Sequence, residues 1–262
     1  MNSSLHSPIS PRLVALLLAS ITASSTPALY GQFIDLGSAS SFSVLANTAV
    51  TNVGASVLSG NLGSMTVNSV TGFPPGLVGG TIYNNDATTS GAIADAETAF
   101  AQLGSLIPTA ILTGQDIGSF TRTPGVYFYG VAASLTGTLT LDGQNTINPL
   151  FVFQIGSTLT TGSSSIFNLI NGAKAENVWF RVGSSATLGT TSVFNGNIVA
   201  RTSNTVTTGV IIDGRIIALD GAVALDNNQI MTVPEPAAYT LLGASAVLGF
   251  IFMRRRTARH AV

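Results

Sequence analysis

The sequence predicts an all-β fold, a solenoid of triangular cross-section with one long α-helix at its side. Three observations predict it. An apolar strand recurs as "FVFQIG" from Phe151, "VWFRVG" from Val178, "IVARTS" from Ile198 and "IIALDG" from Ile216, at offsets of 27, 20 and 18 residues. A short polar run follows each of the first three, "STLTTG" at 157–162, "SSATLG" at 184–189 and "NTVTTG" at 204–209. A third apolar stretch then closes each repeat, "SSIFNLING", "SVFNGN" and "VIIDGR", with Gly or Asn at or next to its end. A period near 20 with several short alternating stretches per repeat marks a solenoid rather than a sandwich. Three strands and three corners per coil make a triangular β-helix, with glycine where a corner needs positive φ or no side chain.

The first strand of each coil needs no further argument than its apolar run. The second is more informative. Aligned on Gly162, Gly189 and Gly209, the polar runs place Leu159, Ala186 and Val206 on the inner side of a period-two strand. Thr158, Ser185 and Thr205 then form one outward column, and Thr160, Thr187 and Thr207 a second. With coils about 4.8 Å apart and alternate residues roughly 6.7 Å apart, these hydroxyls make a flat rectangular grid. Threonine is also simply a good strand former. An ordinary solvent-facing sheet, however, would mix in Lys, Glu and Gln, and this one carries no charge. The fourth repeat, "IIALDGAVALDNNQI", loses its threonines and reads as a terminal coil that caps the solenoid.

The helix is expected over about 86–107. Asp86 is its N-cap, Ile93, Ala96, Phe100, Leu103 and Leu106 form one apolar stripe, and Pro108 ends it. Such a helix covers a β-face that would otherwise be apolar and wet.

Between Phe33 and Val233 the chain has five basic residues (Arg122, Lys174, Arg181, Arg201, Arg215) against ten acids. No basic stripe forms, so a nucleic-acid partner is not expected. Both histidines, His6 and His260, lie near the ends, and there is no cysteine. Imidazole or thiolate catalysis and a zinc site are therefore excluded from this stretch, no metal or cofactor is expected, and the fold needs an extensive core in place of disulfides. Asp142, Asp213, Asp220 and Asp226 mostly sit beside Gly or Asn, where turn chemistry accounts for them. They are scattered, unlike the clustered carboxylates of polysaccharide lyases and hydrolases built on β-helices.

The two ends read as targeting segments. Residues 1–31 have one Arg, an apolar run from Leu13 to Ile21 and small residues after it, the layout of a secretory signal peptide. At the other end Val233, Pro234, Glu235 and Pro236 precede an apolar run over 237–253, expected as a transmembrane helix, and then Arg254, Arg255 and Arg256. The segment 233–262 resembles the PEP-CTERM sorting signal of Gram-negative bacteria. That resemblance implies export, recognition by an exosortase, removal of the tail from a membrane-anchored precursor, and release or attachment at the cell surface. A plain C-terminal anchor is the alternative.

Within 33–233, "LGSASSFSVLANTAVTN" at 36–52, "GNLGS" at 60–64, "AIADAETAFAQL" at 92–103, "TPGVYFY" at 123–129, "LTLDGQ" at 139–144, "LFVFQIGSTLTTG" at 150–162 and "NGAKAENVWFRVGSSATLG" at 171–189 follow one another. In order and wording they resemble the bacterial and fungal ice-binding proteins, also known as DUF3494. The resemblance implies a discontinuous right-handed β-helix with a helix along its side. It also implies non-catalytic adsorption to ice through a flat Thr/Ser/Ala face, in which Thr-Ala/Gly-x-Thr/Asn recurs. That pattern stands once in full, at Thr48-Ala49-Val50-Thr51, and Thr48 and Thr51 are expected on an outlying strand. The expected site is Thr158, Thr160, Ser185, Thr187, Thr205, Thr207, Thr48 and Thr51 of a monomer.

A second reading is a non-catalytic surface or matrix protein associated with extracellular polysaccharide. Trp179 and Arg181, outward in "VWFRV", and Tyr127 and Tyr129 can stack on sugar rings, or pack against the long helix.

Overall fold

A computed structural model of the protein describes residues 33–232. The signal peptide assigned to 1–31 and the tail 233–262, with its apolar run 237–253, lie outside the described residues.

The first seven strands are β1 (Phe42–Ala46), β2 (Val50–Val53), β3 (Val57–Leu58), β4 (Asn61–Ser64), β5 (Val70–Thr71), β6 (Leu77–Val78) and β7 (Ile82–Asn84). After the helix α1 (Ala87–Ser105) come β8 (Ala110–Ile111), β9 (Thr121–Arg122), β10 (Gly125–Tyr129), β11 (Ala133–Leu135), β12 (Thr138–Asp142), β13 (Phe151–Ile155), β14 (Leu159–Thr161) and β15 (Ile166–Ile170). The last are β16 (Val178–Val182), β17 (Ala186–Leu188), β18 (Val193–Ala200), β19 (Asn204–Val206), β20 (Ile211–Ala218), β21 (Val223–Asp226) and β22 (Gln229–Met231).

Every pairing is parallel, and the chain winds round three faces, by the right-handed crossover such units take. The covered face stacks β8, β10, β13, β16, β18, β20, β1, β4 and β7. The open face stacks β11, β14, β17, β19, β21, β2 and β5. The third face stacks β9, β12, β15, β18, β20, β22, β3 and β6. Strands β18 and β20 serve two faces because they bend at Gly196 and Gly214, whose φ of 143° and 148° suits glycine. A Cβ on Gly214 would stand 1.8 Å from the Gly196 carbonyl oxygen, so stacked glycines make this corner without a loop.

The same corner explains where the sequence repeat misleads. Between β15 and β16 it is made by residues 171–177, and Phe151 pairs with Val178. In the next coil the loop is gone and Phe180, not Val178, pairs with Ile198, which pairs in turn with Ile216. At this corner the spacing therefore falls directly from 27 to 18 residues.

The fourth repeat is not a terminal coil. β1 lies on β20, β2 on β21 and β3 on β22, so the first coils of the chain close the solenoid above its last ones. Helix α1 carries the chain from β7 at that end back to β8 at the other, about 28 Å in 19 residues. This is the discontinuous β-helix.

Two cores hold it. Inside the solenoid, inward residues stack rung on rung, Tyr127, Phe153, Phe180, Ile198, Ile216, Val44 and Leu62 in one column. Phe153 and Phe180 lie parallel with centroids 4.5 Å apart. Tyr127 and Tyr129 are buried in this core rather than outward.

The second core lies between α1 and the covered face. Asp86 caps the helix by accepting from the Thr89 N–H at 2.8 Å, and Ala96, Phe100 and Leu103 are buried against Leu45, Val152, Trp179, Val199 and Ile217. Ile93 and Leu106 are half-buried at the margin. Gln154 Nε2 donates to the carbonyls of Leu103 and Leu106, closing the helix C-terminus. The Arg181 guanidinium stacks 4.0 Å from the Phe100 centroid while its Nε donates to the Phe100 carbonyl. Trp179 is thus helix packing and is not free to stack on a sugar.

Near the N-terminus of the described chain, Asp95 on α1 accepts from both the Ser38 N–H (2.7 Å) and the Ser38 hydroxyl (2.5 Å). These bonds, the hydroxyl first, hold its carboxyl below the usual carboxylate range. A depressed native pKa contributes stability above the unfolded value of about 3.9 and loses it as pH falls through the native one. Asp95→Asn is therefore expected to lower Tm at pH 7, with the gap to the unsubstituted protein closing below about pH 4. Thermal melts from pH 7 to pH 2 check this, and a gap undiminished at pH 2 would contradict it.

Candidate functional site

The open face is built from short strands whose residues alternate in and out. Inward positions follow from burial: Ala133, Leu159, Ala186, Asn204, Val223 and Val50 in one column. Between them and the next inward column stands an outward one, in Cα register from strand to strand: Ser134, Thr160, Thr187, Thr205, Ala224, Thr51 and Thr71. Seven rungs at about 4.8 Å give a row roughly 29 Å long. Beside it runs a column of smaller side chains. The N–H groups of Leu159, Ala186, Asn204, Val223 and Val50 donate to the carbonyls of Ser185, Ser203, Ala222, Ala49 and Ser69, and that of Ala133 to the carbonyl of Thr158. Thr158, Ser185, Ser203, Ala222, Ala49 and Ser69 therefore line up across the face.

Neither column carries a charge. On its far side the rim holds Asp226, which accepts from the Thr208 hydroxyl. On the near side Arg201 is tied to Glu97 at 2.7 Å and to Asp220 at 3.6 Å. The charges flanking the face are neutralised among themselves or bonded to neighbours, and the flat strip between them is hydroxyl and methyl.

The structure redistributes the expected residues. Thr160 and Thr187 pair directly. Thr158 and Ser185 share the other column, but Thr205 does not join them: it pairs with Thr187. Thr207 stands one position beyond, at the corner, where its hydroxyl donates to the Leu188 carbonyl at 2.6 Å and meets Thr190 Oγ1 at 3.2 Å. Alignment on glycine caused this slip. Asn204 and Val206 both point inward, so the third run fits the core at either of two registers. Asn204 is buried with its Nδ2 donating to the Ile217 carbonyl, a partner that no local pattern reveals. Thr51 is not outlying; β2 lies between β21 and β5. Thr48 falls outside both columns, its N–H bonded to the Gly221 carbonyl.

Sequence reasoning missed Ser134, Thr71, Ser203, Ser69 and Ala224. The signal was present for three of them: "ASLTG" at 133–137 and "SVTG" at 69–72 repeat the alternation of "LTTG". Ser134 pairs with Thr160 and Thr71 with Thr51, at ordinary coil spacing; it is the pairing of β2 with β21 that joins Thr71 to the rest of the column and that the sequence does not announce.

The ice-binding-like family matches residues 44–231.

The chain belongs to the ice-binding-like family.

An ice-binding protein of Nostoc sp. (strain HG1) is 47% identical over 262 residues, covering 95% of this chain and 97% of its own length. Among solved structures, an ice-binding protein from the Antarctic ascomycete Antarctomyces psychrotrophicus superposes with a TM-score of 0.75 at 44% identity, over 78% of this chain and 100% of that one. An ice-binding protein from an Antarctic biological consortium gives 0.74 at 38%, over 77% and 92%. The match of the ice-binding-like family spans every strand of the open face, from β2 to β21. Residues 232–256 match the PEP-CTERM protein-sorting motif.

Proposed function

We propose that the protein is exported and binds ice through the open face, without catalysis. The observation that carries this reading is the register: six hydroxyl-bearing residues and one alanine stand in a single outward column on seven parallel strands. The family membership and the named relatives support it. Methyl groups order the water above them while hydroxyl and backbone groups anchor it, so a rigid row of threonines holds a patch of ice-like water. Adsorbed at many points at once, the protein pins the growing front, and no residue need change covalently. The residues that take this role are Thr158, Thr160, Ser185, Thr187, Thr205, Thr51, Ser134, Thr71 and Ser203, which the register places in the two columns. Thr207 and Thr48 lie outside the strip.

Processing of the PEP-CTERM tail by an exosortase, with Val233–Pro236 as the recognised element and Arg254–Arg256 as the stop, belongs to the same reading. So do a membrane-anchored precursor and a monomeric domain.

Two measurements on the domain 33–232 test it. In a slowly grown ice hemisphere the domain is expected to concentrate in the ice while a co-dissolved control protein stays in the liquid; exclusion like the control would reject the reading. Ala224 is the one gap in the central column. Ala224→Thr completes it without new charge or inward bulk and is expected to raise freezing hysteresis, roughly twofold if one more anchored rung adds about 0.4 kcal/mol. Unchanged or lower hysteresis would mean that the contact does not run through that rung.

A further inference from the structure

The third face carries two outward columns, one largely apolar and exposed, the other polar in Thr140, Asn168, Asn195 and Asp213 before it ends in Met231. From β12 upward the apolar column reads Thr138, Ile166, Val193, Ile211, Gln229, Val57 and Leu77. Ile166, Ile211, Val57 and Leu77 are 46%, 44%, 39% and 63% exposed, and Met231, two residues on from Gln229 in the neighbouring outward column, is 52% exposed. On the covered face α1 buries the corresponding residues; here no described element does.

Where the described chain ends bears on what covers it. It ends at Thr232 directly after β22, at the corner where this face meets the covered one, and Thr232 is held there. Its N–H donates to Ser59 Oγ at 2.7 Å, and its hydroxyl lies 2.8 Å from Ser59 Oγ and 3.2 Å from Ser43 Oγ. Only Val233–Pro236 separate this anchor point from the apolar run 237–253. Four residues reach at most about 14 Å. Half the difference between a whole bilayer and its hydrocarbon core is about 5–8 Å, so a tether this short keeps the surface around Thr232 against the headgroups. That surface holds Met231, Ile211, Val57 and Leu77.

We propose that in the anchored chain the third face lies on the lipid bilayer, with Leu77, Val57, Ile211 and Met231 in its interfacial layer. The proposal rests on the reading of 237–253 as a membrane span. Interfacial seating follows from the same physics as for a surface helix: apolar side chains on one side of a rigid body enter the headgroup boundary while polar ones stay out. Asp213, paired across the rung with Met231, is half-buried, and desolvation, then Glu176, raises its carboxyl above the usual range, which eases its approach to lipid. In a triangular prism the open face then turns about 120° from the contact and looks away from the membrane. Anchoring and adsorption use different faces and do not compete.

The chain has no cysteine, so single cysteines report cleanly. The full chain is reconstituted into vesicles of phosphatidylethanolamine and phosphatidylglycerol with an environment-sensitive dye at Leu77→Cys, Ile211→Cys, Thr160→Cys or Ala246→Cys. Nitroxides are carried on lipid headgroups or acyl chains. The expected result is loss of most emission at 77 and 211 with headgroup nitroxide, none at 160, and loss at 246 with acyl-chain nitroxide. Val57→Glu with Met231→Glu is expected to restore emission at 211 and leave 246 quenched. Quenching at 246 with wet labels at 77 and 211 overturns the seating while keeping the anchor. No quenching at 246 overturns both. A blue shift at 77 and 211 without lipid quenching means that a second copy covers the face, and also overturns the proposal.

Discussion

Thr187→Lys is expected to reduce ice adsorption and freezing hysteresis by about tenfold or more, equivalent to at least 1.4 kcal/mol of adsorption energy. Thr187 is half-exposed at the third of seven rungs, with Thr160 on one side and Thr205 on the other. A lysine there lifts the plane off the strip and must shed its own hydration to lie flat. Because neighbouring rungs act in parallel, Thr160→Tyr should have a similar effect by bulk alone. Thr187→Ser, which keeps the hydroxyl and loses a methyl, should cost much less. Both large substitutions point outward, so stability should move by no more than about 0.5 kcal/mol. Nanolitre osmometry and ice partition, with a urea melt as control, read the two quantities separately. A Thr187→Lys protein that is folded and fully active would remove the open face from consideration.

The second large effect is on stability. Phe180→Ala is expected to cost about 3–5 kcal/mol of unfolding free energy. Phe180 is fully buried, stacked on Phe153 and within 5.6 Å of Phe167 and 5.1 Å of Phe194, ring centroid to centroid. Ring neighbours fixed by strand register cannot close over the space left behind, so the cavity term stays. Urea unfolding followed by far-ultraviolet circular dichroism measures it; a loss under about 1 kcal/mol would mean that the coils relax inward far more than stacked parallel strands should. Phe180→Leu, closer in volume, is expected to recover most of the loss.

How much of this was legible differs from element to element. Helix α1 was legible because its determinants are local: a capping Asp86, a stripe at helical spacing, and a terminating Pro108. The strands of β13, β14, β16 and β17 were legible because each coil repeats the last with the corner loop intact. Register failed at the coil where Gly196 replaces that loop, since two residues of slip leave every inward side chain inward and period-two patterning detects none of it. The place of β2 was illegible for another reason. Its partner β21 lies some 170 residues downstream, and parallel pairing leaves no turn in the sequence to announce it. On the third face, exposed Ile211 and Leu77 show that an apolar column can be read from sequence while what lies over it cannot.

The stacking of β1 on β20 also governs the order in which this protein acquires structure. A solenoid built in chain order could fold progressively as its coils emerge; here the first strands wait for Ile211–Ala218 and Val223–Asp226 before they have a floor to rest on. Contacts this distant in sequence slow folding, because the intervening chain must be confined before any pairing rewards it. During synthesis such a chain stays incompletely folded until its last coil has emerged. A version cut before residue 211 is expected to leave its N-terminal third without a partner.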